Sequence, residues 1–234
     1  MKLINTKILG YLIVVVLLLL MIISLQLTTS DFSHLKLTKV LISDVITSFL
    51  RVCITSIIAW SMAIIGGYLI YHIKVLKHLF MPSINFIRHI SPFAWLPFAI
   101  IWFGLGESSV AFIMLITLFF PALIAVADQF RSIPREYLDE ANVSGASFFQ
   151  IFRYVELPLS ISNLLNLFRI IWGLGWSVII AAEMLGVNSG LGFRLLDFRY
   201  LLKYADMLLY FVVMGTLGIT IDALLSFFIS KIKI

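Results

Sequence analysis

Arg131-Ser-Ile-Pro-Arg-Glu-Tyr-Leu-Asp-Glu-Ala-Asn-Val-Ser-Gly145-Ala-Ser-Phe-Phe-Gln150-Ile-Phe-Arg-Tyr-Val-Glu-Leu-Pro158 is a polar stretch set between two long apolar runs. Pro134 falls where the first turn of a helix tolerates it, and Glu136, Asp139 and Glu140 lie toward the positive end of that helix. Gly145 ends it. A second helix opens at Ser147, whose spacing to Gln150 is that of a capping box, and runs through Ile151, Phe152 and Val155 to Pro158. The expectation is a bent pair of amphipathic helices. Nothing inside a bilayer requires such an element, so it either lies on the membrane surface or docks to a partner in the cytoplasm.

Outward from this stretch the chain is apolar: 62% of its 234 residues are hydrophobic and 12% charged, with a mean hydropathy of +1.08. That composition excludes a soluble globular domain and reads as an all-α integral membrane protein. A helix needs about 20 apolar residues to cross the hydrocarbon core, where backbone groups must bond internally. Six spans are expected, at 8–27, 51–71, 86–105, 110–127, 159–185 and 207–229, with Pro92 and Pro97 interrupting the third. The first run is too long for a signal-peptide core of about 7 to 15 residues, so it reads as a retained helix. Ten Lys and Arg residues fall on the side of the 128–158 loop and six on the other, counting Arg51 among the six. That bias puts both termini and the loop in the cytoplasm of a multi-pass inner-membrane protein. No repeat or linker divides the chain, so residues 1–234 read as one domain: N-terminal spans over 1–85, a core over 86–229, and the 128–158 loop within it.

Several functions are excluded by what the residues lack. The basic residues form no dense stripe, which argues against nucleic acid. Cys53 is the only cysteine and reads as packed inside a span, while the four histidines sit singly without metal-ligand spacing. No phosphate-cradling Gly-x-x-x-x-Gly-Lys-Ser/Thr occurs, so the chain holds no nucleotide cofactor of its own by that motif. A self-sufficient secondary transporter would show inverted repeats and coupling carboxylates deep in its spans, and a membrane enzyme a catalytic constellation; neither pattern is evident.

The fifth span carries a polar stripe. At about 100° per residue Asn163, Asn166, Arg169, Gly173 and Ser177 share an arc of about 120°, opposite Leu164, Leu165, Phe168, Ile171 and Trp172. Arg169 stands near mid-bilayer, where a cation facing lipid costs about 3 kcal/mol or more. It therefore points into protein or a wet cavity. Attraction of an anionic solute, a gate, and a packing bond to backbone carbonyls or Glu183 all fit. Gly173 and Gly175 suit close helix contact. Pro92 and Pro97 either shape a pore or mark a kink, and the 186–204 segment lies on the outer interface or meets a partner there.

The 131–158 stretch resembles the hallmark loop of the permeases of binding-protein-dependent ABC importers. Asp139-Glu140-Ala141, then Gly145, then Val155-Glu156-Leu157-Pro158 keep that loop's spacing, departing from it at Asp139, where Glu is usual, and Glu140, where Ala is usual. Arg88 to Pro97, Ile101 to Ser108, Ala182 to Gly186 and Ser189 to Gly192 look like the subgroup handling nitrate, sulfonates, taurine, bicarbonate and some vitamin precursors. The resemblance implies a type I importer fold, a second permease copy, two cytoplasmic ATPase subunits that bind ATP and magnesium, and an external solute-binding protein. It implies coupling to the ATPase through Asp139, Glu140, Ala141, Gly145, Leu157 and Pro158. Gly145 is expected to let the backbone bend where a side chain would clash.

Overall fold

The computed structural model describes residues 39–232. The expected span at 8–27 lies outside them. Helix α1, Lys39–His72, is 34 residues long, about 51 Å at the helical rise. It takes in twelve residues ahead of the span expected at 51–71, so Arg51 lies within the helix and not at its start. Its middle carries small residues in helical register, Ala59, Ala63, Gly66 and Gly67, and these meet helix α4, Glu107–Arg131. A Cβ on Gly67 would stand 2.6 Å from Val126 and 2.9 Å from the Leu123 carbonyl oxygen. In an apolar solvent the fit of small residues, and not escape from water, holds helices together.

Helices α2, Lys74–Arg88, and α3, Pro92–Phe103, meet at 99°. The run expected to cross at 86–105 is therefore not one straight span. Ser91 is extended at ψ 138°, as a residue before proline prefers, and Pro92 starts a new helix instead of kinking an old one. Helix α3 has 12 residues, about 18 Å, too short to cross alone.

The long loop folds as expected at first: helix α5, Arg135–Val143, then Gly145 at φ +76°. Ser147 opens the next helix, its backbone N–H donating to Gln150 Oε1 at 2.7 Å. Pro158 does not close that helix. The α-turn α6, Phe148–Ile151, passes through a π-helical turn, Phe152–Glu156, directly into α7, Leu157–Gly186. A proline ring collides with the carbonyl four residues back, here that of Tyr154, and the wider π turn relieves the collision without breaking the rod. Helices α8, Leu191–Tyr200, and α9, Tyr204–Ile232, complete the chain.

Among the described residues four helices are long and apolar enough to cross a membrane, or five if the α2–α3 pair counts as one broken span. Helices α1, α4 and α7 form the core, with Val52, Met114, Leu118, Leu164 and Ile179 fully enclosed. Gly175 admits α7 between Val52 and Leu118, whereas a Cβ added at Gly173 would meet nothing within 4 Å among the described residues. Trp60 Nε1 donates to the Leu164 carbonyl at 3.0 Å and Trp176 Nε1 to that of Met214 at 3.1 Å, so both indoles find a partner in an apolar setting. Cys53 is half-buried within α1, as expected.

Gly67→Val should overpack the α1–α4 contact and cost about 1–3 kcal/mol, seen as a lower Tm of the detergent-solubilised protein. Gly173→Ala should leave the Tm unchanged.

Candidate functional site

Helices α5 and α6 project from one end of the bundle as a hook. Asp139 and Glu140 are exposed on α5 and Ala141 is half-buried, while Leu157 and Pro158 sit at the root of α7. Glu140, Ala141 and Pro158 come together with Tyr137, Ser144 and Tyr154 around a groove of about 420 Å³. Asp139, Gly145 and Leu157 lie off it. At Gly145 a Cβ would meet nothing within 4 Å, so the clash expected there is absent and the constraint is its left-handed backbone. The hook also exposes Val143, Phe149, Tyr154 and most of Phe148, whose ring rests by one edge against His72.

Along α7 the polar stripe faces away from the core. Asn163 and Ser177 are exposed, Asn166 and Arg169 half-buried, and Leu164, Ile171 and Trp172 on the opposite face are enclosed. Arg169 pairs with a carboxylate not considered from sequence. Its Nε and Nη2 donate to the Asp222 carboxylate of α9 at 2.6 and 2.5 Å, and Nη1 to Ser226 Oγ at 3.2 Å. The two ends of the pair remain 35% and 39% exposed, so the ion pair lies on an open face of the bundle. Ser177 Oγ donates to the Gly173 carbonyl.

Glu183 is engaged at the end of the bundle away from the hook. Its carboxylate has no exposed surface and accepts from Arg51 Nη1 at 2.6 Å, Ser48 Oγ at 2.8 and 2.9 Å, and the Gly192 N–H at 2.9 Å. Arg51 is shared: its Nε and Nη2 hold Glu107 in a fork, and it also donates to the Ser189 carbonyl and hydroxyl. A Cβ on Gly190, at φ +103°, would fall 2.5 Å from the Glu183 carboxylate, and one on Gly192 would strike the Ile180 carbonyl oxygen. The loop into α8 is thus glycine-rich because it is laid directly over a buried charge. Asp44 fastens the same loop from a second side, accepting from the Gly190 N–H, Arg194 Nε and the Tyr210 hydroxyl.

Residues 56–233 match the family model of the binding-protein-dependent transport system inner membrane component. The chain belongs to this family of ABC importer permeases. A putative ABC transporter permease protein of Methanocaldococcus jannaschii is 34% identical over 187 residues, 79% of this chain and 70% of that protein. The bicarbonate transport system permease protein of Synechococcus elongatus is 32% identical over 188 residues, 80% and 67% of the two chains. An inward-facing structure of the MetNI methionine ABC transporter superimposes with a TM-score of 0.69 over 82% of this chain and 94% of that one, at 18% identity. That likeness is one of fold.

The sequence reading of this permease missed the whole charge knot. From sequence Arg51 opens the second span and counts with the cations of the outer side, and Glu183 is only one option for Arg169. The available signal was cost: Asp44, Glu156, Glu183 and Asp222 all fall inside helices apolar enough to span a membrane, where a carboxylate must have a partner. Among the described residues no group of His, Cys, Asp and Glu is arranged to hold a metal ion.

Arg51→Ala should strand Glu183 as an uncompensated buried charge, at a cost of about 3–5 kcal/mol. Combining Arg51→Met with Glu183→Leu should recover part of that loss. Thermal unfolding in detergent would measure both.

Proposed function

We propose that the permease forms the solute path of an ATP-driven importer, paired with a second permease copy, with its hook seated on a cytoplasmic ATPase subunit. Hydrolysis would occur in two such partner chains that bind ATP and magnesium, and an external binding protein would deliver the solute. The observation that carries this reading is the hook itself: a folded element outside the apolar bundle with uncovered aromatic and aliphatic side chains around a preformed groove. Exposed apolar surface on a polar element is the signature of a protein partner. The basic bias of the same side supports a cytoplasmic hook, with the knot around Glu183 at the outer end.

The open polar face of α7 supports the second copy. Asn163, Asn166, Ser177 and the Arg169–Asp222 pair are directed away from the core of their own protomer, and a facing copy would enclose them as a polar path. The solute class in this reading is a small anion of the nitrate, sulfonate, taurine or bicarbonate kind. It rests on the motif resemblance, on the named function of the Synechococcus relative, and on Arg169 as a cation held ready beside its counter-ion.

Two experiments test the assignment. A β-branched residue at Gly145 must adopt a left-handed backbone at about 1–2 kcal/mol, so Gly145→Val should leave the permease in the membrane while reducing the ATPase chain that copurifies with it. Copurification at the wild-type level for both Gly145→Val and Gly145→Trp would remove the hook's role. For the path, Arg169→Gln should lower uptake of bicarbonate, nitrate or taurine by at least about tenfold, the scale of one lost charge-assisted contact. Unchanged uptake of whichever of these the wild type carries would remove Arg169 from the path.

A further inference from the structure

Glu156 occupies the variable position of the Val155-Glu156-Leu157-Pro158 segment, and the family resemblance gives it no role. It is 1% exposed, buried in the π turn where the hook becomes α7. Its partners come from the far end of α1. The Tyr68 hydroxyl donates to Glu156 Oε2 at 2.8 Å, while His72 Nε2 lies 3.2 Å from Oε1 without hydrogen-bond geometry, so that oxygen has no hydrogen-bond partner among the described residues. Aromatic rings close the site from both sides of the same junction: Phe152 and Phe148 of the hook stack edge-on against Tyr68 and His72, with centroids at 4.8 and 5.1 Å, and Phe130 of α4 packs on Tyr68 at 5.0 Å.

Two features make this more than packing. A buried carboxylate is costly where an apolar side chain of the same volume would fill the space at no such cost, so its retention marks a directional contact. The π turn is the one place in the 39-residue rod from Phe148 to Gly186 where the α-helical register is interrupted, and π turns are places where helices bend. Glu156 therefore ties α1 to the hook at the point where the hook would otherwise flex independently.

We propose that Glu156, held by the Tyr68 hydroxyl beside His72, is a positioning residue of transport: it transmits movement of the hook to α1, so that nucleotide-driven displacement at the ATPase reaches the opposite end of the bundle. The proposal rests on the reading of the hook as the ATPase seat. When the contact is cut, the ATPase subunits still bind and hydrolyse ATP, but α1 no longer follows.

The test uses the complete transporter with its ATPase subunits in nanodiscs, and its readout needs no knowledge of the solute. A nitroxide is placed on Ile42→Cys, an exposed position near the start of α1, in a Cys53→Ser background. Its EPR line shape is compared without nucleotide and after trapping with ATP and vanadate. The wild-type background should show a nucleotide-dependent change. Glu156→Leu and Tyr68→Phe should each retain at least half of the ATPase activity and lose most of that change. The double variant should be no worse than either single one, because both cut the same contact. Glu156→Gln, which still accepts from Tyr68, should restore the response. If Glu156→Leu fails to assemble, Tyr68→Phe decides the question alone, since it removes a single oxygen.

Four results would overturn the proposal: a full response in Tyr68→Phe, a parallel loss of ATPase activity and response, additive effects in the double variant, or no response in the wild-type background. Failure of any ATPase chain to copurify would instead overturn the hook assignment, so the two failures are distinct.

Discussion

A carboxylate with no solvent contact governs one end of this permease. Glu183 lies at the close of α7 with no exposed surface, and the surrounding structure is arranged to answer its charge. Arg51 must reach it from the middle of α1, Ser48 must sit one turn earlier, and the α8 loop must bring a backbone N–H within 2.9 Å. Those demands explain why Ser48 and Arg51 share one face of α1, why Gly190 and Gly192 carry no side chain, and why Glu107 opens α4 beside the same guanidinium. In lipid, apolar faces are nearly interchangeable and choose partners weakly. Charges do not have that freedom, so the polar knot selects one arrangement of α1, α4, α7 and α8 from the many that would bury similar apolar area.

The hook end follows the same logic with weaker charges. Gly145 takes a backbone conformation closed to most residues, Ser147 restarts the helix, and the π turn lets it pass Pro158 unbroken. The outcome is a continuous rod with a bent handle, loosened at one turn. An α-helix terminated at Pro158 would have left the handle on a flexible joint, unable to transmit force.

Much of this was legible in the sequence where one local rule decided it. The apolar runs at 110–127, 159–185 and 207–229 lie within α4, α7 and α9, since length and hydropathy fix a span without knowledge of its neighbours. Gly145 and the Ser147 capping box were equally readable because their chemistry lies within four residues. The rest depended on pairs distant in the chain. Asp222 as the partner of Arg169 is 53 residues away, and the Arg51–Glu183 pair spans 132. Nothing in a helical period reports such partners. Pro158 misled for a related reason: its usual effect is to end a helix, and the π turn that accommodates it has no sequence signature of its own.

Helix α1 is gripped by polar contacts at two places, Ser48 and Arg51 near one end and Tyr68 and His72 near the other. Arg51 and Tyr68 are 17 residues apart, about 26 Å along the axis. A rod fastened only by smooth glycine and alanine surfaces is free to roll or slip by a notch in oil. One clasped at two separated points is not, because turning it would break both clasps at once. The azimuth and height of α1 are thereby locked like a key bitted at both ends, and the flat patch between the clasps serves only to let it lie close.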